Sequence, residues 1–347
     1  MALVLLSVAI CVSLGRVAHA ATDLSESGST LLYPLMDLWS AAYTAAHPDV
    51  RLETLASGSG AGIASAIAGK IQIGASDAPL RDDQMTQPRM LDVPLAISAQ
   101  QIDYNLPEVS GAPLRLSGPL LAAIYSGAVA MWDDRRVAAL NPDRKLPHHP
   151  IVLIRRAEAS GDTYLFTEYL SRTTPEWDGS VHYATRVKWP LVPSAIEDLG
   201  NMGVMQLCRR VPYSIAYVGI SLLDSAQAAG LGVASLQNRD GQFVPPTRQT
   251  IEAAVRGSAG TIPADGRLSL VFAPGPDSYP IVNIEYAIVR RQQTSSDLAA
   301  TLRAFLNWAT DPTGGNAPTY LERVHFVALP ANVLDVSRSL VATIAGP

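Results

Sequence analysis

The sequence predicts an α/β protein, and three observations carry that reading. Short apolar runs rich in β-branched residues, such as Ile71-Gln72-Ile73 and Ile151-Val152-Leu153-Ile154, have the length and composition of buried strands. Small polar loops follow them, among them Ala75-Ser76-Asp77 and Ala159-Ser160-Gly161. Beyond several of these loops the apolar residues switch to a spacing near 3.6, the period of a helix. In a fold of alternating strands and helices, ligands gather at the carboxyl ends of the strands.

In chain order, Ser27-Gly28-Ser29-Thr30 opens a helix whose stripe is Leu31, Leu32, Leu35, Leu38, Trp39 and Ala42, with Pro34 in the first turn, where proline is tolerated. Residues 49–55 alternate apolar and charged side chains and read as a strand. Residues 57–62 read as a glycine-rich turn into a helix over 63–68, and residues 71–74 as a strand ending at Ala75-Ser76-Asp77. Residues 81–110 are less regular, with strand-like pieces at 95–97 and 102–106. Helices are expected over 120–125 and 135–140, then a strand at 151–154 and a helix continuing through Tyr164, Leu165, Phe166, Tyr169 and Leu170. The prolines of 171–200 indicate loops. A helix start at 203–207 and a strand at 214–218 follow, and the Gly and Pro of 237–280 indicate irregular chain. Residues 279–289 read as a strand, Ser296-Asp297 as the cap of a helix bearing Leu298, Leu302, Phe305 and Leu306, and 334–344 as a terminal helix.

A chain of 347 residues has the length of two ordinary domains. Charged residues make up 16% and hydrophobic ones 48%, with no long run of one sign, the composition of a well-cored protein. The net charge of −5 gives no electrostatic reason to expect a nucleic acid, so any attraction for an anion must be local. Residues 1–20 read as an export signal peptide: an apolar core at 3–14 too short to span a bilayer, then Ala18-His19-Ala20 as the cleavage site. No Lys or Arg precedes that core, as a start codon further upstream would explain. Ile10 stands before Cys11 where bacterial lipoproteins carry Gly or Ala, which disfavours a lipid anchor. The expected location is therefore outside the cytoplasmic membrane, in the periplasm or cell envelope. The remaining cysteine, Cys208, has no partner within the exported chain and is expected as a small buried apolar residue.

Four loops carry the candidate chemistry: Gly28-Ser29-Thr30, Gly58-Ser59-Gly60, Ala75-Ser76-Asp77 and Ser160-Gly161-Asp162, the last preceded by Arg155-Arg156. Three of them open helices, where backbone N–H groups lack partners and the dipole is positive. Arg156 adds a planar fork of donors for two oxygens. If the loops converge, they present hydroxyls, N–H groups, one guanidinium and two carboxylates to one point. An ionised Asp only accepts hydrogen bonds, so the point would suit an oxyanion that still carries protons, phosphate over sulfate. Enzyme patterns fail: position 57 is Ser, so no nucleophile elbow forms, and Ile63 spoils the dinucleotide fingerprint. The six histidines show no metal spacing, and no general base adjoins the serines, which argues for binding without chemistry.

Taken together, Gly28-Ser29-Thr30-Leu31, Gly58-Ser59-Gly60-Ala61-Gly62, Gly74-Ala75-Ser76-Asp77-Ala78-Pro79-Leu80 and residues 155–163 resemble the PstS family. Its members are the extracytoplasmic phosphate-binding component of the high-affinity phosphate ABC transporter. The likeness keeps its order over residues 24–345 and includes Trp132-Asp133-Asp134, Leu140-Asn141-Pro142, Ala216-Tyr217-Val218 and Phe305-Leu306-Asn307-Trp308. It implies a type II periplasmic-binding-protein fold, two α/β lobes joined by a hinge with the ligand in the cleft. The lobes would be 22–100 plus 280–347, and 101–279. Inorganic phosphate and the transmembrane subunits of an ABC permease would be the partners of a monomer that uses no cofactor, metal or nucleic acid and is not an enzyme. Position by position, Thr30 would bind phosphate by hydroxyl and backbone, Leu31 by backbone N–H, and Ser59 by hydroxyl. Asp77 would accept the phosphate proton, Arg156 would pair with phosphate oxygens and brace Asp77, and Ser160 and Gly161 would bind through the helix start. Two positions depart from the commonest pattern. Leu31 replaces an aromatic residue, and Asp162 replaces Thr, as in a mycobacterial-type branch that this sequence resembles; Asp162 would then be a second proton acceptor. The alternatives are a receptor for a related oxyanion such as arsenate or a phosphate ester, a secreted phosphate-ester hydrolase, or an adhesin or sensor on the same fold.

Overall fold

The computed structural model describes residues 21–86, 89–109, 113–258, 260 and 262–347, so the expected leader and Cys11 lie outside the described residues. The chain enters on β1 (Thr22–Gly28), which pairs in parallel with β2 (Val50–Ala56) on one side and β3 (Ile73–Ser76) on the other. Between β1 and β2, α1 (Tyr33–Ala46) buries Leu35, Met36, Trp39 and Tyr43, one stripe of its surface. Burying a side chain such as Leu35 or Met36 stabilises the lobe by about 1.5–3 kcal/mol. Between β2 and β3, α2 spans Ser59–Ile67, so the glycine-rich stretch is the helix's first turn rather than a turn before it. A Cβ on Gly62 would sit 2.5 Å from the Ser27 carbonyl oxygen, so glycine here permits close packing of helix on strand.

After α3 (Asp82–Thr86) comes β4 (Met90–Tyr104), one strand of 15 residues, all buried. Only fragments of it were expected, because Asp92, Ser98, Gln100, Gln101 and Asp103 interrupt the apolar pattern although they too are buried. Pro94 sits where the pairing shifts register, at a bulge, which is where a proline is accommodated inside a sheet. Next come β5 (Arg115–Leu116), α4 (Gly118–Tyr125), α5 (Arg135–Leu140), β6 (Val152–Arg156), α6 (Gly161–Thr173) and α7 (Pro175–Asp178). Then follow β7 (Ala195–Asp198), α8 (Gly200–Arg210), β8 (Ser214–Gly219), α9 (Leu223–Ala228), β9 (Gly232–Val233), β10 (Ser235–Gln237), β11 (Phe243–Val244) and α10 (Arg248–Gly257). The chain closes with β12 (Val282–Arg290), α11 (Ser296–Thr310), α12 (Pro318–Leu321) and α13 (Ala331–Ala342). Three expectations are corrected. The stretch 171–200 contains α7 and β7. The stretch 237–280 contains α10, held by a Thr247–Thr250 capping box and buried through Ile251 and Ala254. The cap of α11 is Ser295, whose Oγ accepts the Leu298 N–H.

The main sheet runs β2-β1-β3-β12-β4-β8-β6-β7, with β9 alongside β4; β11, β10 and β5 form a small second sheet. β12 is antiparallel to both β3 and β4, so β3 and β4 run the same way. β8 is antiparallel to the last residues of β4 and parallel to β6, which is parallel to β7. The parallel set β1–β3 and the parallel set β6–β8 therefore aim their carboxyl ends at each other across the middle of β4. Two sets of helix starts thus meet head to head.

Candidate functional site

The site grows from the ends of those strands. Beyond β1, the Ser29 Oγ accepts the N–H groups of Leu31 (3.1 Å) and Leu32 (2.9 Å) and donates its own proton to Asp77 Oδ1. Ser59, the first residue of α2, donates to Asp77 Oδ2 (3.2 Å) and accepts the Asp77 N–H (3.3 Å). From the opposite side β6 delivers Arg156, whose guanidinium donates to the carboxylates of Asp162 and Glu158 and to Thr30 Oγ1 (3.0 Å). Strand alternation turns Arg155 the other way, where it stacks 4.8 Å from the Trp189 ring centroid and donates to the Pro190 carbonyl.

Ser160 caps α6 by accepting the Asp162 N–H (3.0 Å). The Asp162 carboxylate accepts from Arg156, from Asn201 Nδ2 (2.7 Å), from Gln100 Nε2 (3.2 Å) and from Ser160 Oγ (3.4 Å). Asn201, at the start of α8, also donates to Thr30 Oγ1 through its backbone N–H (3.1 Å) and Nδ2 (2.9 Å), and its Oδ1 accepts the Gly219 N–H (2.7 Å). Gly161 packs against Asp77 so closely that a Cβ there would lie 2.2 Å from Asp77 Oδ2. Asp77, Arg156 and Asp162 are buried, at 2%, 3% and 0% exposure. A cleft of about 680 Å3 shares Thr30, Glu158 and Asn201 with the cluster and opens between Tyr33, Pro34 and Leu199.

Burial, then the Asp162 charge, push the Asp77 carboxyl up to about 7, against hydrogen bonds from Glu285 and Ser29 and the positive charge of Arg156. Near neutral pH Asp77 is thus poised between acceptor and donor. The cluster can cradle a small oxyanion: hydroxyls, helix starts and one guanidinium face two carboxylates whose surplus lone pairs call for protons.

All eight expected site residues, Thr30, Leu31, Ser59, Asp77, Arg156, Ser160, Gly161 and Asp162, fall within this one cluster. Two details differ from expectation. The Leu31 N–H is held by Ser29 Oγ. The donors of Arg156 go to Asp162, Glu158 and Thr30, not to Asp77, because Asp162 lies on its own side of the cleft. Sequence reasoning named Ser29 and Glu158 within their motifs without giving either a role of its own, and missed Gln100, Asn201 and Glu285. Asn201 had a visible signal, since Asp198-Leu199-Gly200-Asn201 is another short polar link between a strand and a helix. Gln100 and Glu285 lie within strands and carried none.

Residues 16–313 match the family model described as the PBP superfamily domain. The phosphate-binding protein PstS of Methanocaldococcus jannaschii is 32% identical over 334 residues, covering 91% of this chain and 84% of that protein. The phosphate-binding protein PstS of Haemophilus influenzae is 31% identical over 328 residues, covering 94% of this chain and 95% of its own. Among solved structures, a high-affinity periplasmic phosphate-binding protein (PfluDING) bound with phosphate shares the fold at a TM-score of 0.74 and 20% identity, over 92% of this chain and 93% of that one. With a helix-lined anion cradle between two opposed parallel sets and this identity sustained from end to end, the chain belongs to the PstS family of phosphate-binding proteins.

Proposed function

We propose that this chain binds inorganic phosphate in the cleft, outside the cytoplasmic membrane, and delivers it to an ABC permease as a monomer. Relatives across 90% or more of the chain carry the phosphate-binding name. The observation that carries the reading is the convergence of Asp77, Asp162, Arg156, Ser59, Thr30 and the starts of α2 and α6 on one buried point. Thr30, Ser59, Ser160, Gly161 and the Leu31 N–H donate to phosphate oxygens. Arg156 neutralises them in a bidentate pair, and Asp77 and Asp162 take phosphate protons. To do so, Leu31 and Arg156 exchange their bonds to Ser29 and Asp162 for bonds to the anion. Phosphate monoanion with ionised Asp77 and dianion with protonated Asp77 are one complex, the proton lying on either side of a single hydrogen bond. Sulfate brings no proton and leaves a carboxylate repelled.

The hinge lies where β4 changes partner from β12 to β8 at Ala99 and Gln100, beside the Gln100 N–H bond to the Ile281 carbonyl. That supports lobes of 22–100 plus 280–347, and 101–279, with Arg267 bonded back onto Leu80 and Asp82. Binding without chemistry fits the serine partners, which are carboxylates and backbone N–H groups. Among the described residues no helix is long and apolar enough to cross a membrane. Calorimetric titration of the ligand-stripped chain with phosphate, arsenate and sulfate tests the reading. One-to-one phosphate binding with no sulfate signal is the expected result, and no heat with any of the anions overturns it. Failure to cleave a chromogenic phosphate ester is expected alongside.

A further inference from the structure

Beside Asp77 stands a second buried carboxyl, Glu285, that does not line the cleft. Tyr286 on β12 pairs with Ser76 on β3, which brings Glu285 opposite Asp77 one residue further on. The bulge between Glu285 and Tyr286 in the pairing with β4 sets the strand's local twist at this point. Glu285 is fully buried, and its carboxyl lies in hydrogen-bonding reach of the Asp77 carboxyl. Its Oε1 sits 2.5 Å from Ser98 Oγ and accepts from Asn283 Nδ2 (3.2 Å). Its Oε2 is buried and meets no donor among the described residues. A buried carboxyl that has one oxygen without a donor and another carboxyl beside it is satisfied by carrying a proton and donating it.

Resting on the phosphate reading above, we propose that Glu285 is a specificity-determining residue of the site. As a neutral acid it donates its O–H to Asp77 and biases Asp77 toward its ionised, accepting form, so the cradle favours oxyanions that bring a proton of their own. The groups around the pair agree. Asp77 reaches Glu285 from the loop after β3, while Ser98 reaches it from β4 and Asn283 from its own strand. Asp77 is faced in turn by Asp162 and Arg156 across the cleft and by Ser29 and Ser59 on its own side. Burial, then the charge of Asp77, hold the Glu285 carboxyl well above the ordinary carboxylate range, so the proton stays at neutral pH. Without that O–H, Asp77 would itself keep a proton more firmly and act as a donor, which lets sulfate bind where only a proton-bearing oxyanion was favoured. The proton remains on Glu285 throughout, and nothing is transferred.

The test compares the full chain with Glu285→Gln and Glu285→Leu. Gln keeps an acceptor toward Ser98 and Asn283 and presents an N–H to Asp77 that does not titrate; Leu presents no donor. Phosphate and sulfate are titrated calorimetrically across a range of pH, and infrared difference spectra are taken of the ligand-stripped proteins at neutral pH. In Glu285→Leu the preference for phosphate over sulfate is expected to fall by about a hundredfold, the loss typical of a buried polar group left without its partner. Glu285→Gln is expected to rescue the preference to within about threefold and to flatten the alkaline loss of phosphate affinity that deprotonation of Glu285 produces. The carboxylic-acid C=O band is expected to be lost in both variants. An unchanged preference in Glu285→Leu overturns the proposal. If that variant does not fold, matching pH profiles for Glu285→Gln and the parent chain overturn it instead. The spectra need no ligand: no difference band between parent and Glu285→Gln overturns the proton's location even if phosphate binding itself fails.

Discussion

Among the described residues Arg156 is the one guanidinium in the cradle, and it answers to two carboxylates at once. Removing it leaves Asp162 with an uncompensated buried charge and the half-buried Glu158 without its partner, so Arg156→Ala is expected to abolish phosphate binding and destabilise the chain by about 3–5 kcal/mol in denaturant titration. Asn201 has the opposite character: it bridges Thr30, Asp162 and Gly219 without charge. Asn201→Ala is expected to weaken phosphate roughly tenfold to a hundredfold by calorimetry, one to two lost hydrogen bonds, with a smaller effect on stability. Asp162→Thr asks whether that carboxylate takes a phosphate proton. The pH profile of phosphate affinity is expected to change, and an unchanged profile reduces Asp162 to the counter-ion of Arg156. At this scale much was legible. Small hydroxyls beside Gly and Asp at strand ends, and a cation beside a helix start, announce an anion site from their chemistry. Which of two adjacent arginines enters the site depends on strand parity, which the run Ile151-Val152-Leu153-Ile154 set only once its pairing was known.

At the scale of elements, the start of α6 meets the loop after β3 without room for a methyl group. Gly161→Ala removes nothing from either element and suits the first turn of a helix. If the proposed hinge parts the two elements in the ligand-stripped chain, that form should keep or slightly gain stability, by up to about 1 kcal/mol. Closure onto Asp77 should be blocked, and phosphate affinity should fall while the melting temperature of the ligand-stripped chain does not. Helices with a clean stripe, α1 and α11, were readable because periodicity is a local property. β4 was not: its Asp, Ser and Gln side chains are buried among partners from β8, β12 and α6, and no window of sequence contains those partners. α10 was hidden in the same way, its two buried residues lying among glycines and prolines that belong to the flanking loops.

For the whole molecule, ligand and proton both act on the folded state. Phosphate at about a hundred times its dissociation constant should stabilise the chain by about 2.7 kcal/mol, and sulfate should not. Glu26, Asp92 and Asp103 are buried acids, and burial raises them to about 8, about 7 and about 7 respectively. Their folded values exceed the unfolded ones, so the folded chain holds protons that the unfolded chain releases. The stability they contribute is complete at low pH and is lost as pH rises through those values. In phosphate-free buffer the melting temperature should therefore decline between pH 4.5 and about 8, and Glu26→Gln should remove part of that slope.

By itself the sequence determined the class of the fold, the position of most helices and outer strands, and the chemical kind of ligand, because hydrophobic period and side-chain donors and acceptors are written locally. Tertiary structure alone decided that the two parallel sets point at each other across β4, and that decision makes one site out of four loops. It also set Glu285 beside Asp77 and Asn201 before Thr30, across 208 and 171 positions of chain. Strand order and direction arise from packing between distant segments, and a carboxyl is raised as Glu285 is only once burial has removed the water that would have ionised it.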